Sequence, residues 1–229
     1  MRHWAMARPV NPRSYLVQPL DVVLGNVGNV RILRVLARHG GALPASRIAR
    51  ETRLSRFGAA QALSGLEALG LVERSGSGRA VLHKAVPHHP LVGLLAPLFE
   101  DEAGYRNRVL AAATAAASDL PIAGLWLFGS AARLEDAPGS DIDLALVSEL
   151  DDGSAHERLA DAYRERLAEQ PDLAGTRPSV VAMREADLRR LIDEGSPLWA
   201  DIARDARVLR GRSPQDFQRD PARPRGEGA

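Results

Sequence analysis

Between Leu125 and Val147 the chain reads Leu-Trp-Leu-Phe-Gly-Ser, ten residues, then Asp-Ile-Asp-Leu-Ala-Leu-Val. An apolar strand ends in Gly129-Ser130 and a second apolar strand opens with Asp141 and Asp143. Side chains alternate across a strand, so both carboxylates project to one face while Ile142 points to the other. Two carboxylates held that close repel each other unless a cation sits between them. Hard oxygen ligands suit Mg²⁺, completed by substrate phosphates and water. Gly129 lets a phosphate approach the backbone, and the Ser130 hydroxyl can donate to it, with further amides if Ser-Ala-Ala-Arg opens a helix. Arg133 reads either as another phosphate contact or as a plain surface arginine. The pattern is that of a site for a Mg²⁺-bound nucleoside triphosphate.

Asp-x-Asp alone is common on exposed strand ends, and Gly-Ser alone is a turn. The two together, at this spacing and between two apolar runs, are far more specific. From about Ala103 to Arg210 the chain resembles the nucleotidyltransferases of the polymerase-beta superfamily, particularly the minimal prokaryotic kind. The resemblance implies catalytic and metal-holding roles for Asp141 and Asp143, and nucleotide contacts from Gly129, Ser130 and Arg133. It also implies a third carboxylate on the strand after the next helix, holding the ion that activates the attacking hydroxyl. The matching position here is Ser179. Asp172 lies too far before that strand, and Glu185 and Asp187 lie beyond its far end. Enzyme activity is therefore open: one metal and a triphosphate can still be held, whereas transfer to an acceptor is slowed unless the substrate supplies the missing ligand.

The elements that must position these residues follow from periodicity. The alanine-rich stretch Arg108–Ala117 has high helix propensity and is expected to pack on the sheet. Leu91, Leu94, Leu95, Leu98 and Phe99 are helically spaced, with Pro97 expected to interrupt them. A charged helix, capped by Ser154, runs to about Glu169 with Leu159, Ala162, Tyr163 and Leu167 inward. Pro178-Ser-Val-Val-Ala-Met reads as a third strand, Glu185–Glu194 as a helix, and Ser196-Pro197 as the start of the last helix. Val208-Leu209 adds a short edge strand.

The first half reads differently. Val23, Val27, Val30, Leu33, Leu36 and Ala37 recur at helical steps from Leu20, and Gly40-Gly41 ends that helix. A short helix follows over Ser46–Thr52. Ser55 then caps a third, with Ala59, Ala62, Leu63, Leu66 and Leu69 as its buried stripe. Leu71-Val-Glu-Arg, a Ser-Gly-Ser-Gly turn and Arg79-Ala-Val-Leu-His-Lys form a hairpin. Three helices and a hairpin resemble the winged helix-turn-helix domains of bacterial regulators, over about Leu20 to Val86. The resemblance implies double-stranded DNA as partner, with the third helix in the major groove. Off the buried stripe lie Arg56, Phe57, Ala60, Gln61 and Ser64, with Ser55 at the helix start; Gln61 suits adenine, and Arg56 guanine or phosphate. Arg47, Arg50, Arg53, Arg74 and Arg79 are candidate phosphate contacts. His83, His88 and His89 lack the spacing of a metal pair and read as packing or loop residues.

Charge supports the division. Residues 1–100 carry 13 Lys/Arg against 5 Asp/Glu, whereas residues 101–229 carry 17 against 24, so a basic half precedes an acidic one. The chain has no cysteine, which excludes disulfides and thiolate metal sites. No apolar run approaches a membrane span, and a cytoplasmic location is expected. The whole reads as an α+β chain: a flexible arm (1–14), a winged helix-turn-helix (15–90), connecting helices (91–118), a nucleotidyltransferase-type α/β domain with a small mixed sheet (119–211) and a disordered tail (212–229). Two functions are carried forward. One is a DNA-binding transcriptional regulator, expected to be a homodimer, whose second domain senses or retains Mg-nucleotide binding. The other is a working transferase that places a nucleoside monophosphate on a protein, RNA or small-molecule acceptor, within a toxin–antitoxin pair, and represses its own operon. A third, weaker option keeps the second domain purely as a dimerisation platform.

Overall fold

A computed structural model describes residues 14–77 and 81–219. The chain divides into two compact units, Met1–Gly104 and Tyr105–Ala229. The first contains α1 (Pro19–Leu24), α2 (Val27–His39), β1 (Leu43–Pro44), α3 (Ala45–Thr52), α4 (Arg56–Ala68), β2 (Val72–Ser75) and β3 (Leu82–Ala85). The single helix expected from Leu20 is two helices, because the Asn26 side chain accepts from the Gly28 amide at 2.7 Å and starts α2 afresh. Gly40, at φ +69°, ends α2 with its N–H donating to the Leu36 carbonyl. The turn between α3 and α4 passes through Arg53 in the left-handed region, φ +54°. Ser55 then caps α4, its hydroxyl accepting from Gly58 at 3.0 Å, and α4 buries Ala59, Ala62, Leu63 and Leu66 as its spacing predicts.

The hairpin β2–β3 gains a partner the sequence did not reveal. Two-residue β1 pairs antiparallel with β3, Leu43 opposite His83. A strand that short has no alternation to read. The core of this unit gathers Ile32, Leu36, Leu43, Ile48, Leu63, Leu66 and Leu71. This is the expected winged helix-turn-helix.

Helix α5 (Pro90–Ala115) runs without a break through Pro97, contrary to the expected interruption. The proline removes one helical donor and crowds the carbonyl four residues back. That residue is Gly93, which brings no side chain to the crowded turn, and neighbours Leu95 and Phe99 are anchored in the first core. Further along, Val109, Ala112, Ala113, Ala116 and Ala117 are buried in the second core, as the alanine-rich sequence suggests.

The second unit contains β4 (Ile122–Phe128), α6 (Gly129–Arg133), β5 (Ile142–Ser148), α7 (Gly153–Ala168), β6 (Pro178–Arg184), α8 (Glu185–Asp193), α9 (Pro197–Asp205), β7 (Arg207–Gly211) and α10 (Pro214–Arg219). The sheet order is β6-β5-β4-β7, with β5 and β6 parallel and the other pairs antiparallel. Strand β4 is buried along its whole length, which is why it reads as an unbroken apolar run. One face sets Leu125, Leu127, Leu144 and Leu146 against the alanines and Tyr163. The other sets Trp126, Ala145 and Val147 against Leu188, Trp199, Ile202 and Phe217.

Two expectations fail here. The cap of α7 is Asp152, whose carboxylate accepts from Ala155 at 2.7 Å, while Ser154 donates its hydroxyl to that carboxylate. The segment 212–219 is folded, because it carries a large apolar side chain into the core. Phe217 is buried edge-on to Trp126 at 5.7 Å, and the Trp126 indole donates to the Arg212 carbonyl at 2.7 Å. The rest of the expected tail, and residues 1–13 of the expected arm, lie outside the described residues. Among the described residues no helix is long and apolar enough to cross a membrane.

Candidate functional site

The turn that ends β4 and the acids that open β5 meet in space. Phe128 is the register partner of Asp143 across the antiparallel pair. Gly129 has φ +70°, and a side-chain carbon built on it would stand 2.5 Å from an Asp143 carboxylate oxygen. Only glycine fits, both for its backbone angle and for the space Asp143 takes. The ten intervening residues form α6 and a loop that returns the chain to β5. Ser130 is half-buried at the start of α6, Asp141 is exposed, and Asp143 is half-buried. Burial, and then the neighbouring Asp141 charge, push the Asp143 carboxyl above its usual range.

The parallel neighbour completes this edge. Asp143 is the register partner of Ser179, so the serine occupies the position beside the half-buried acid. Just before β6, the Arg177 guanidinium Nε lies 3.1 Å from Asp141 Oδ1 and Nη1 donates to the Gly139 carbonyl at 3.2 Å. The other acids near in sequence are occupied elsewhere. Asp187 pairs with Arg184 at 2.8 Å, Glu185 with Arg189 at 3.8 Å, and Asp172 with Arg108 at 3.7 Å. Among the described residues no three His, Cys, Asp or Glu side chains cluster, so Asp141 and Asp143 stand as a pair of acids.

Arg133 lies at the far end of α6 with its guanidinium between Glu135 at 2.8 Å and Asp205 at 2.5 Å. The pair with Asp205 ties α6 to the end of α9. Asp205 is held below its usual range by Arg204 and then by Arg133.

In the first unit Arg47, Arg50, Arg53, Ser55, Arg56, Phe57, Gln61, Ser64 and Arg74 are all exposed. Phe57 is 78% exposed on the first turn of α4, although nothing in the unit's own core needs it there. Arg47 pairs with Glu51 at 2.6 Å one turn along α3, and the Ser55 hydroxyl is engaged as the cap described above. Arg79 lies outside the described residues. His83 is buried in the wing, its Nδ1 2.8 Å from Glu67 Oε1, and so ties β3 to α4. His89 accepts from the Leu91 amide at 3.2 Å. Both are packing or loop roles, as their spacing suggests.

Residues 26–80 match the family model of the MarR family, and residues 111–193 match that of the nucleotidyltransferase domain. The chain thus joins a winged helix domain similar to those of the MarR family to a domain of the nucleotidyltransferase type. Among solved structures, it is similar to a homodimeric winged helix-turn-helix DNA-binding domain from Mycobacterium bovis, a possible ArsR-family transcriptional regulator. That match has 26% identity and a TM-score of 0.31, covering 43% of this chain and 90% of the other. It is also similar to NadR in complex with 4-hydroxyphenylacetate, with 21% identity and a TM-score of 0.29, covering 43% of this chain and 79% of the other. A comparison with curated proteins gives no match.

Within the nucleotidyltransferase domain, the sequence singled out Gly129, Ser130, Asp141 and Asp143, and the fold brings these four together. Arg133, one helical turn from Gly129, has its guanidinium engaged by Glu135 and Asp205. Arg177 was not singled out, and the sequence gives little reason to do so. It lies far along the chain from Asp141, and only the parallel register of β5 and β6, which seats Ile142 beside Pro178, places it there.

Proposed function

We propose that the protein is a DNA-binding transcriptional regulator, a homodimer of the cytoplasm, whose nucleotidyltransferase domain holds a Mg²⁺-bound nucleoside triphosphate as a ligand. One contrast carries this reading: the described side chains proposed to meet DNA on and around α4 are all exposed, whereas the register position beside Asp143 holds the neutral Ser179.

For DNA, α4 enters the major groove with Gln61 reading adenine, Arg56 reading guanine or phosphate, and Phe57 meeting a thymine methyl. Arg47, Arg50, Arg53, Arg74 and Arg79 meet phosphates, which supply affinity and salt dependence. The basic excess of the first 100 residues supports this. For the dimer, the support is the apolar exposure around α1, where Leu20, Val22 and Leu24 are 44%, 48% and 41% exposed and Leu16, Val17 and Val27 lie open beside them. An apolar patch of this kind on a soluble unit marks a contact surface, and a second copy is the partner that paired DNA half-sites require.

The acid pair fits one divalent ion. Asp141 and Asp143 offer hard oxygens from one face; burial, and then the Asp141 charge, raise the Asp143 carboxyl, and a cation bound there would offset both. A bound Mg²⁺ would screen the triphosphate charge, leaving Gly129 to admit phosphate to the backbone and Ser130 to donate to it. A neutral Ser179 gives a second ion no anionic ligand.

The intact meeting of Gly129-Ser130 with Asp141 and Asp143 favours one rival reading. In it the domain transfers a nucleoside monophosphate to a protein, RNA or small-molecule acceptor while the winged helix represses its own operon. Transfer of labelled nucleotide that disappears in Asp141→Ala/Asp143→Ala establishes the rival. The regulator is tested by gel shift at two salt concentrations. Binding that weakens steeply with salt and is lost in Arg56→Glu supports it, and no binding even at low salt removes it.

A further inference from the structure

The edge strand β6 brings a cation to the acid pair. Register pairs Ile142 with Pro178 and Asp143 with Ser179, so the residue before β6 falls beside the residue before β5. The Ile142 amide donates to the Arg177 carbonyl at 2.9 Å and fixes the arginine backbone at that point. Only the side chain is left to move. It is 69% exposed, and its partner Asp141 is 47% exposed. Resting on the nucleotide-site reading above, we propose that Arg177 is the resident counter-ion of Asp141: it competes with a divalent cation for that carboxylate and, once displaced, turns to the phosphates of the bound nucleotide.

The energetics suit an exchange. An ion pair this exposed is weak, so a divalent ion bound by two carboxylates and phosphate oxygens displaces it readily. A guanidinium released beside a triphosphate meets the geometry it binds best, two parallel N–H donors to two oxygens. The same arginine thus keeps the empty site from standing as two unscreened acids and adds charge to the filled one.

The test uses the full chain, Mn²⁺ as a paramagnetic probe of the metal alone, and ATP added in the presence of Mn²⁺. Arg177→Ala should bind Mn²⁺ alone about two- to fivefold more tightly than wild type, the worth of an exposed pair, and ATP with Mn²⁺ about tenfold more weakly. Arg177→Lys should fall between the two on both readouts. Because Arg177 is largely exposed, the variants should unfold at the wild-type temperature. Unchanged or weakened Mn²⁺ affinity in Arg177→Ala, with wild type binding normally, overturns the competition. Unchanged ATP affinity overturns the phosphate role. If neither protein binds Mn²⁺, or Asp141→Asn binds it undiminished, the nucleotide-site reading itself fails.

Discussion

Asp143 is the residue whose surroundings ask most of it. Its folded-state proton affinity is raised by burial and by Asp141, so the native state holds a proton more tightly than the unfolded chain does. Stability therefore falls as pH rises through the folded value. Asp143→Asn removes that penalty. Denaturant titrations should show the variant more stable than wild type at pH 7 in the absence of metal, with the difference vanishing in acid, where Asp143 is itself protonated. Gly129→Ala should act oppositely, costing about 1–2 kcal/mol for a side chain in the left-handed region. It should also abolish nucleotide-dependent stabilisation, because the added carbon displaces the Asp143 carboxylate. That Gly129-Ser130 and Asp141/Asp143 would meet was legible in the sequence because strand alternation and a short loop fix where they go. Arg177 was not, since a parallel pairing between distant segments leaves no local trace.

At the scale of elements, legibility followed the length of the pattern. Helix α4 announces itself by a cap and a repeated apolar stripe and α9 by its Ser-Pro start, and Ser55→Ala should lower stability by about 1 kcal/mol through loss of the cap. The division between α1 and α2 was hidden, because Val23, Val27 and Val30 keep the same spacing across a break that a single asparagine side chain creates. Pro97 misled for the converse reason: tertiary anchoring of Leu95 and Phe99 outweighs a local preference. Composition misled over α10, where one phenylalanine among polar residues decides the structure. Phe217→Ala should cost about 3 kcal/mol, read as a fall in the unfolding midpoint, if that helix is held by its contact with Trp126. An unchanged midpoint would mean that α10 contributes nothing to the second core.

For the molecule as a whole, a winged helix domain in a basic half precedes a nucleotidyltransferase-type domain in an acidic half of one chain. Replacing one of the arginines proposed to contact phosphate, Arg50→Ala for example, should lower the slope of log affinity against log salt by about 1 without changing the preferred sequence. Charging the apolar surface in Leu20→Glu/Val22→Glu should yield monomers in sedimentation equilibrium and weaken binding to paired half-sites. The most direct measurement for the central claim is thermal unfolding of the full chain with each of the four nucleoside triphosphates, with and without Mg²⁺. At least one should raise the midpoint only when Mg²⁺ is present, corresponding to about 2.7 kcal/mol at a hundredfold excess over its dissociation constant, and Asp141→Ala/Asp143→Ala should erase the gain. A midpoint that no triphosphate moves at millimolar concentration would contradict the account.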